Sequence, residues 1–449
     1  MNTMSDPISR PRLRAALPLL ALVLLGAAPG DGLPPQLAQD VRKSWEALTT
    51  TYYDRVDPQA LLAAASDALA DLAKKHGVAI APPELRASSD TDATLSALDE
   101  AIGGVAAEAR GEPADYAYAA IAAMARSIGD RYTQFFTPEE FKQFNEGLDP
   151  DKVSGIGVMI ENDPPGTLDV AYVIPGTPAD RAGLRPGDEI LAIDGAPAKD
   201  LSVGDASKLL RGKAGTVVSL QLQHATGEPP EIVSIKREEW QPPTVIFRML
   251  AGNVGYVRVA VFGNATKDQF DTAIARLKDQ GAKALVLDLR NDGGGYVNTA
   301  LEITSRFIAD KPLLIYKERG DRSTTIDADD DVTIQLPVTV LVNAYTASAS
   351  EITAGALQDD GAGVLIGTKT FGKGVMQTLT PLPDGAAIKV TTAHYLTPRH
   401  RDINLRGIDP DLQVSEPKGA LLGDADRDPQ LRAALLYLQK KIAQSKSAP

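Results

Sequence analysis

The sequence contains no cysteine and only four histidines among its 449 residues. Without cysteine, disulfides, thiol nucleophiles, cysteine-ligated metal sites and an N-terminal lipoprotein anchor are all excluded. None of the histidines stands in a motif typical of a catalytic triad, and the G-x-S-x-G motif is absent. A serine nucleophile in this chain would therefore need a base other than histidine.

The sequence also has fewer basic than acidic residues. The chain has 46 Lys and Arg against 59 Asp and Glu, which gives a formal net charge of −13. Nucleic acids and anionic membrane surfaces attract proteins through clustered Lys and Arg. The composition therefore argues against a nucleic-acid partner.

Long apolar runs are confined to the N-terminus, where RPRLRAALPLLALVLLGAAPG joins basic residues, an apolar run and small residues. This order is typical of a signal peptide. The run is short for a membrane span, which needs roughly 20 residues. Residues 1–30 are therefore predicted to be a signal peptide, with an uncleaved N-terminal anchor as the alternative.

Residues 36–145 show helical periodicity. Apolar residues recur at helical spacing from Val41 to Tyr52, and Asp57-Pro58 is typical of an N-cap followed by the first helical residue. The segment APPELRASSDTDA interrupts the pattern. We predict a helical N-terminal region with one break, and an amphipathic helix in the tail 417–449, where Asp428-Pro429 repeats the start signal.

Residues 146–238 change to short β-branched runs between Gly and Pro turns, which predicts a small β-rich module. SGIGVMI resembles the carboxylate-binding loop of a PDZ domain, and AGLRPGDEILAIDG resembles the helix-to-strand element of the same family. The resemblance implies a peptide-binding loop beside an open strand edge, formed by Ser154, Gly155, Ile156 and Gly157. The alternative is a turn whose glycines only shape a hairpin.

Residues 245–416 alternate strands and helices. The runs ALVLDLR and VTVLVNA are almost continuously apolar, as buried parallel strands are. An α/β unit places its functional loops at the carboxyl ends of such strands. We therefore expect the site in NDGGG and in NAYTASASEI, which follow these two strands.

Ser348 lies where a buried strand ends and a helix begins. Ser348 and Glu351 fit the capping box S-x-x-E, but free N–H groups at a helix N-terminus would also stabilise an oxyanion at a serine nucleophile. Lys373 is the candidate base, because burial in an apolar pocket lowers a lysine pKa from its usual value of about 10.4. Gln377, at even strand spacing from Lys373, would orient the amine.

Nucleotide binding is the weaker interpretation of the glycine-rich segments. GTKTFGKG at residues 367–374 departs from the P-loop pattern at Gly374, which has no hydroxyl for Mg²⁺. The residues after it favour a strand, whereas a P-loop begins a helix. NDGGG lacks the G-x-G-x-x-G spacing, although its unobstructed N–H groups suit a phosphate or an oxyanion.

TASASEI, QDDG and GTKTFGKGVMQ, with ALVLDLRNDGGG upstream, resemble the carboxyl-terminal processing peptidases, also called tail-specific proteases. The resemblance covers most of the chain. It implies a multi-domain α/β fold with an N-terminal helical region, a PDZ-like β-rich module, a protease core of crotonase/ClpP-like type at 245–416 and a C-terminal helix.

The same resemblance assigns roles to residues of this sequence. Ser348 would be the nucleophile, Lys373 the general base and Gln377 its orienting partner. The oxyanion hole would use the N–H groups of Gly294 and Ala349. Supporting roles would fall to Glu351 and Asp359. Gly293 stands where the family often has proline, which keeps the backbone donors and adds conformational freedom.

These residues and the signal segment predict a serine endopeptidase exported to the periplasm of a bacterial envelope. Its PDZ module would capture apolar C-terminal tails of protein substrates, and the reaction would pass through an acyl-enzyme without a metal, nucleotide or other cofactor. Further expected partners are an activating adaptor or lipoprotein, and a second copy of the chain joined through the terminal helices. The alternative is a catalytically silent or partner-activated peptide-binding adaptor on a protease-like core.

Overall fold

The structure is a computed structural model that describes residues 32–162, 166–224, 228–320, 322–329, 333–416 and 423–446. The predicted signal segment at residues 1–30 lies outside the described residues. Within the described ranges, no helix combines the length and apolar character that crossing a bilayer requires.

The N-terminal region is a bundle of helices followed by a short strand and a further helix. The helices before the strand pack on a shared apolar core, and the Asp57 side chain caps the second helix by accepting from the Gln59 N–H at 3.0 Å, as the sequence predicts. A π-helical turn, Ala47–Thr51, follows the first helix. The elements are α1 Pro35–Glu46, α2 Pro58–Lys75, α3 Thr91–Ala109, α4 Pro113–Ser127, β1 Gln134–Phe136 and α5 Pro138–Leu148.

The β-rich module is a five-stranded antiparallel sheet in the order β3-β4-β5-β7-β8, with β6 added to β5 and a separate β2–β9 pair. One apolar core fills it. Its elements are β2 Val153–Gly155, β3 Val158–Glu161, β4 Asp169–Val173, α6 Pro178–Arg181, β5 Glu189–Ile193, β6 Ala196–Pro197, α7 Val203–Leu210, β7 Val217–Gln223, β8 Glu231–Lys236 and β9 Glu238–Trp240.

The remaining elements form an α/β core. They are β10 Val245–Leu250, β11 Val254–Val259, α8 Thr266–Asp279, β12 Ala284–Asp288, α9 Val297–Ser305, β13 Pro312–Glu318, β14 Ser323–Asp327, β15 Val338–Val342, α10 Ala349–Asp360, β16 Val364–Gly367, β17 Val375–Pro381, β18 Ala387–Leu396, β19 Leu412–Gln413 and α11 Pro429–Lys446.

The main sheet of the core has the order β10-β11-β12-β15-β16-β19 and is parallel from β11 onward. Every residue of β12 and β15 is buried, because α8, α9 and α10 cover one face and α11 packs on the other. The carboxyl ends of β12 and β15 are neighbours. NDGGG and Ser348 are therefore brought together, as predicted.

A second sheet joins the helical region to the core. Its order is β1-β18-β13-β14, with β17 also paired to β18. In β1, Phe135 pairs with Ile388 of β18, although the sequence pattern had predicted only helix in this region. The β17–β18 hairpin thus packs into the core of the helical bundle. The predicted architecture of helical region, β-rich module and α/β core is otherwise confirmed.

Candidate active site

Ser348 occupies a strained turn between β15 and α10. Its backbone has φ 57° and ψ −118°, and only 9% of the residue is exposed. A non-glycine residue in this region of φ/ψ space is costly and persists only when its surroundings hold it. The turn places Ser348 at the N-terminus of α10, where backbone N–H groups and the helix dipole favour negative charge.

Glu351 ties the Ser348 turn to the loop that carries Lys373. Its buried carboxylate accepts hydrogen bonds from the N–H groups of Ser348 at 3.0 Å, Gly372 at 2.8 Å and Lys373 at 2.8 Å, and from the Thr370 hydroxyl at 2.5 Å. Four donors stabilise the charge of a carboxylate that is out of water. Glu351 therefore holds the Ser348 turn and the Lys373 loop together.

The Lys373 side chain is half-buried, and its Nζ lies 5.0 Å from the centroid of the Tyr132 ring. Burial, assisted by the positive charge of Lys389, lowers the pKa of Lys373 to about 8 against the opposing effects of Glu351 and Asp130. A lysine with this pKa is partly neutral near physiological pH. Lys373 therefore has the protonation behaviour that a general base needs.

Lys389 on β18 is a second lysine of the same cleft, and the sequence analysis missed it. Its Nζ lies 4.9 Å from the centroid of the Phe136 ring and 5.1 Å from that of Phe144. Burial lowers the pKa of Lys389, and Asp130 opposes the shift. The alternating pattern of AIKVTTAHYL could have drawn attention to it, because a lysine then falls on an inward face.

The predicted catalytic groups line one cleft of about 640 Å³. Its lining includes Gly294, Ser348, Lys373, Gln377 and Lys389. Within the described residues, the Ser348 hydroxyl and the Lys373 amine are not hydrogen bonded to each other. The Gln377 amide donates instead to the Thr391 hydroxyl at 3.4 Å. The structure thus gathers the groups in a state where they are not yet aligned for proton transfer.

The two predicted oxyanion donors differ in availability. The Ala349 N–H has no hydrogen-bond partner among the residues that the structure describes. The Gly294 N–H, by contrast, donates to Oδ1 of Asp292 at 2.8 Å. In this structure the Gly294 N–H is therefore engaged by the neighbouring carboxyl group, and its use in an oxyanion hole stays a prediction.

Asp359 lies at the opposite end of α10 from Ser348, outside the cleft. It accepts from the Arg399 N–H at 2.8 Å and from the Arg401 guanidinium at 2.5 Å, so it stabilises the turn after β18.

Tyr395 contacts the backbone of both Ser348 and Lys373. Its hydroxyl lies 3.1 Å from the Ser348 carbonyl oxygen and 2.5 Å from that of Lys373.

The predicted peptide-binding loop begins inside a strand. Ser154 and Gly155 belong to β2 and pair with Glu239 and Glu238 of β9, so the loop itself is shorter than expected. Ile156 is buried in the core of the module. Gly157 has φ 85°, and a Cβ there would lie 2.3 Å from the side chain of Thr177. The next strand, β3, is an edge of its sheet, so it can accept an added strand.

Comparison with known proteins identifies the family. Residues 253–414 match Peptidase family S41, and residues 170–224 match the PDZ domain. The carboxyl-terminal-processing protease of Picosynechococcus sp. is 37% identical over 341 residues, which cover 74% of this chain and 82% of that protein. CtpA of Bacillus subtilis is 34% identical over 326 residues, which cover 72% and 69%.

A solved structure, the photosystem II D1 C-terminal processing protease, is 26% identical, with a TM-score of 0.46 over 88% of this chain and 96% of that one. The two family matches span both the β-rich module and the α/β core. The chain belongs to peptidase family S41, as a PDZ-containing serine-type peptidase similar to the carboxyl-terminal-processing proteases.

Proposed function

We propose that this protein is an endopeptidase that captures C-terminal tails of protein substrates through its PDZ domain and cleaves them with Ser348 and Lys373. The observation that supports this proposal most is the cleft itself. One carboxylate, that of Glu351, holds both the Ser348 turn and the Lys373 loop, and burial lowers the Lys373 pKa to about 8.

In the proposed reaction, the neutral Lys373 amine accepts the Ser348 hydroxyl proton while Oγ attacks the scissile carbonyl carbon. The carbonyl oxygen becomes an oxyanion, which the Ala349 N–H stabilises. Lys373 then donates the proton to the departing amine as the C–N bond breaks, which leaves the acyl-enzyme. The neutral Lys373 next takes a proton from water, which adds to the ester carbon, and Lys373 returns this proton to Oγ as the ester C–O bond breaks and Ser348 is released. No metal or nucleotide takes part in these steps.

Alignment requires Lys373 to turn from the Tyr132 ring toward Ser348. Gln377 is placed to follow, because its bond to Thr391 is long, at 3.4 Å, and therefore weak. The Thr391 hydroxyl also donates to Asp130 at 2.5 Å, so Thr391 would keep a hydrogen-bond partner after Gln377 moved away. A released Gln377 amide can hold the neutral lysine without adding a charge.

The unaligned Ser348 and Lys373 side chains favour one alternative, a partner-activated or catalytically silent peptide-binding adaptor. An activating adaptor or lipoprotein would then supply the alignment. We further propose export to the bacterial envelope, with the PDZ domain binding apolar tails, self-association through the terminal helices, and no nucleic-acid partner.

The pH dependence of cleavage tests the proposal. The rate constant kcat/KM should rise roughly tenfold per pH unit between about pH 5 and 7, because the neutral fraction of Lys373 increases in that proportion below its pKa. The measurement is the initial rate on an unstructured protein with an apolar tail. Tail binding without cleavage at any pH would support the adaptor alternative instead.

The PDZ domain gives a second prediction. In Gly157→Ala, the added Cβ would lie 2.3 Å from the Thr177 side chain, so the binding loop must shift and tail affinity should fall at least tenfold. Gly183→Ala is the matched control, since Gly183 has nearly the same φ, +86° against +85°, and nothing within 4 Å of the new Cβ. Fluorescence anisotropy of a labelled apolar-tailed peptide measures both. Equal affinities would place the peptide elsewhere.

A further inference from the structure

One buried carboxyl group beside the cleft has no task in the reaction above. Asp292 has no exposed surface and directly precedes the glycines that line the cleft. Its Oδ1 accepts the Gly294 N–H at 2.8 Å, while its Oδ2 has no hydrogen-bond partner among the described residues. A buried oxygen without a partner costs free energy, so its retention needs a reason.

The amide that donates to Asp292 lies beside the nucleophile. A Cβ built on Gly294 would lie 2.8 Å from the Ser348 Cβ and 2.8 Å from the Ala349 nitrogen, so Gly294 is pressed against both. The Ala349 N–H is the donor that is free for an oxyanion. The carboxyl group of Asp292 is therefore bonded to the amide that adjoins the place where negative charge develops.

The surroundings of Asp292 hold it in place and adjust its charge. Its backbone carbonyl accepts the Ala347 N–H at 3.0 Å and the Ser350 hydroxyl at 3.1 Å, which fixes the loop on the start of α10. Burial raises the pKa of Asp292 to about 7, against the lowering effects of the Gly294 N–H and of the Arg258 charge from β11. The carboxyl group thus gains and loses its proton near neutral pH.

We propose that Asp292 is a positioning residue that controls the oxyanion hole through Gly294. When ionised, the carboxylate holds the Gly294 N–H tightly and places a negative charge beside the developing oxyanion. When protonated, it is a weaker acceptor and carries no charge, so Gly294 can donate to the oxyanion beside Ala349. This inference rests on the proposed function.

The two groups then place opposite demands on pH. Lys373 must lose its proton to act as base, whereas Asp292 must keep its proton for the oxyanion hole to be complete. Activity should pass through a maximum near neutral pH and decline at alkaline pH. The two apparent pKa values of such a profile belong to the pair of groups together.

Asp292→Asn tests the proposal, because asparagine keeps the shape and the acceptor oxygen but cannot ionise. We expect the alkaline decline of kcat/KM to disappear, so that at about pH 9 the variant cleaves at least roughly tenfold faster than the parent. The rate at which a fluorophosphonate labels Ser348 should show the same difference, since that reaction also forms an anionic oxygen. Asp359→Asn, a buried aspartate outside the cleft, should keep the alkaline decline.

Arg258→Met provides an independent variant. Removing this cation should raise the pKa of Asp292 and move the alkaline decline to higher pH. An active parent whose alkaline limb is unchanged in both Asp292→Asn and Arg258→Met would overturn the role of Asp292 alone. A parent that neither cleaves nor labels at any pH would overturn the proposed function.

Discussion

Lys373→Met should abolish peptide-bond cleavage, with a loss of roughly 10³-fold or more, and should leave the protein folded. Methionine has a similar length and no amine, so it fills the space above the Tyr132 ring without accepting a proton. It also removes the cost of burying an ammonium group, a cost that is visible in the lowered pKa of Lys373. Stability should therefore be equal to that of the parent or higher.

Lys369→Met is the matched control for this change. Lys369 lies four residues earlier in the same loop and forms a surface ion pair with Asp409 at 3.2 Å, so its loss should leave kcat/KM unchanged. Ser348→Ala should be as inactive as Lys373→Met, and the double variant no worse, because nucleophile and base act as one unit. Cleavage assays with circular dichroism as a folding check measure all four. Residual activity in Lys373→Met within tenfold of the parent would assign the base elsewhere.

Arg290→Met should produce the largest loss of stability, about 3–5 kcal/mol in the free energy of unfolding. The Arg290 side chain is completely buried and lies 2.6 Å from Asp288 and 2.7 Å from Asp428, with Gln430 at 3.0 Å. Without the guanidinium, the carboxylates of Asp288 and Asp428 would remain buried without a counter-charge. Because Asp428 and Gln430 lie at the start of α11, the substitution should also weaken the packing of this helix on the sheet.

Arg427→Met is the control, since Arg427 pairs with Asp424 at 2.6 Å on the surface next to the same helix. Exposed pairs contribute about 0–1 kcal/mol, so urea denaturation should separate the two variants clearly. An equally small loss in both would mean that water reaches the Asp288 and Asp428 carboxylates once Arg290 is gone.

The features that the sequence predicted correctly are those set by local pattern. Apolar runs predicted the buried strands β12 and β15, and the Asp57-Pro58 signal predicted the start of α2. Strand ends in a parallel sheet meet at one edge, so the meeting of NDGGG with Ser348 followed from topology. The Lys373 loop could be assigned because its residues resemble those of a known family.

What the sequence did not predict depends on contacts between distant segments. β1 is only three residues long and becomes a strand by pairing with β18, more than 250 positions away in the chain. The Gly294 N–H could donate either to the Asp292 carboxyl group or to an oxyanion in the cleft. Only the positions of the side chains decide between these two acceptors. Lys389 lies in the cleft because the β17–β18 hairpin carries it there. No periodicity marks β1 or the Asp292 contact, whereas the alternation within β18 marks the inward face on which Lys389 lies.

The pairing of β1 with β18 also determines which truncated forms of this chain can fold. A fragment that begins after the helical region would leave β18 without its neighbour and expose Leu382, Ile388 and Val390, which are buried against the bundle. An unpaired edge beside an apolar face is a site for intermolecular strand pairing. The protease core is therefore expected to aggregate when produced alone, so the smallest soluble unit should include the helices that precede it.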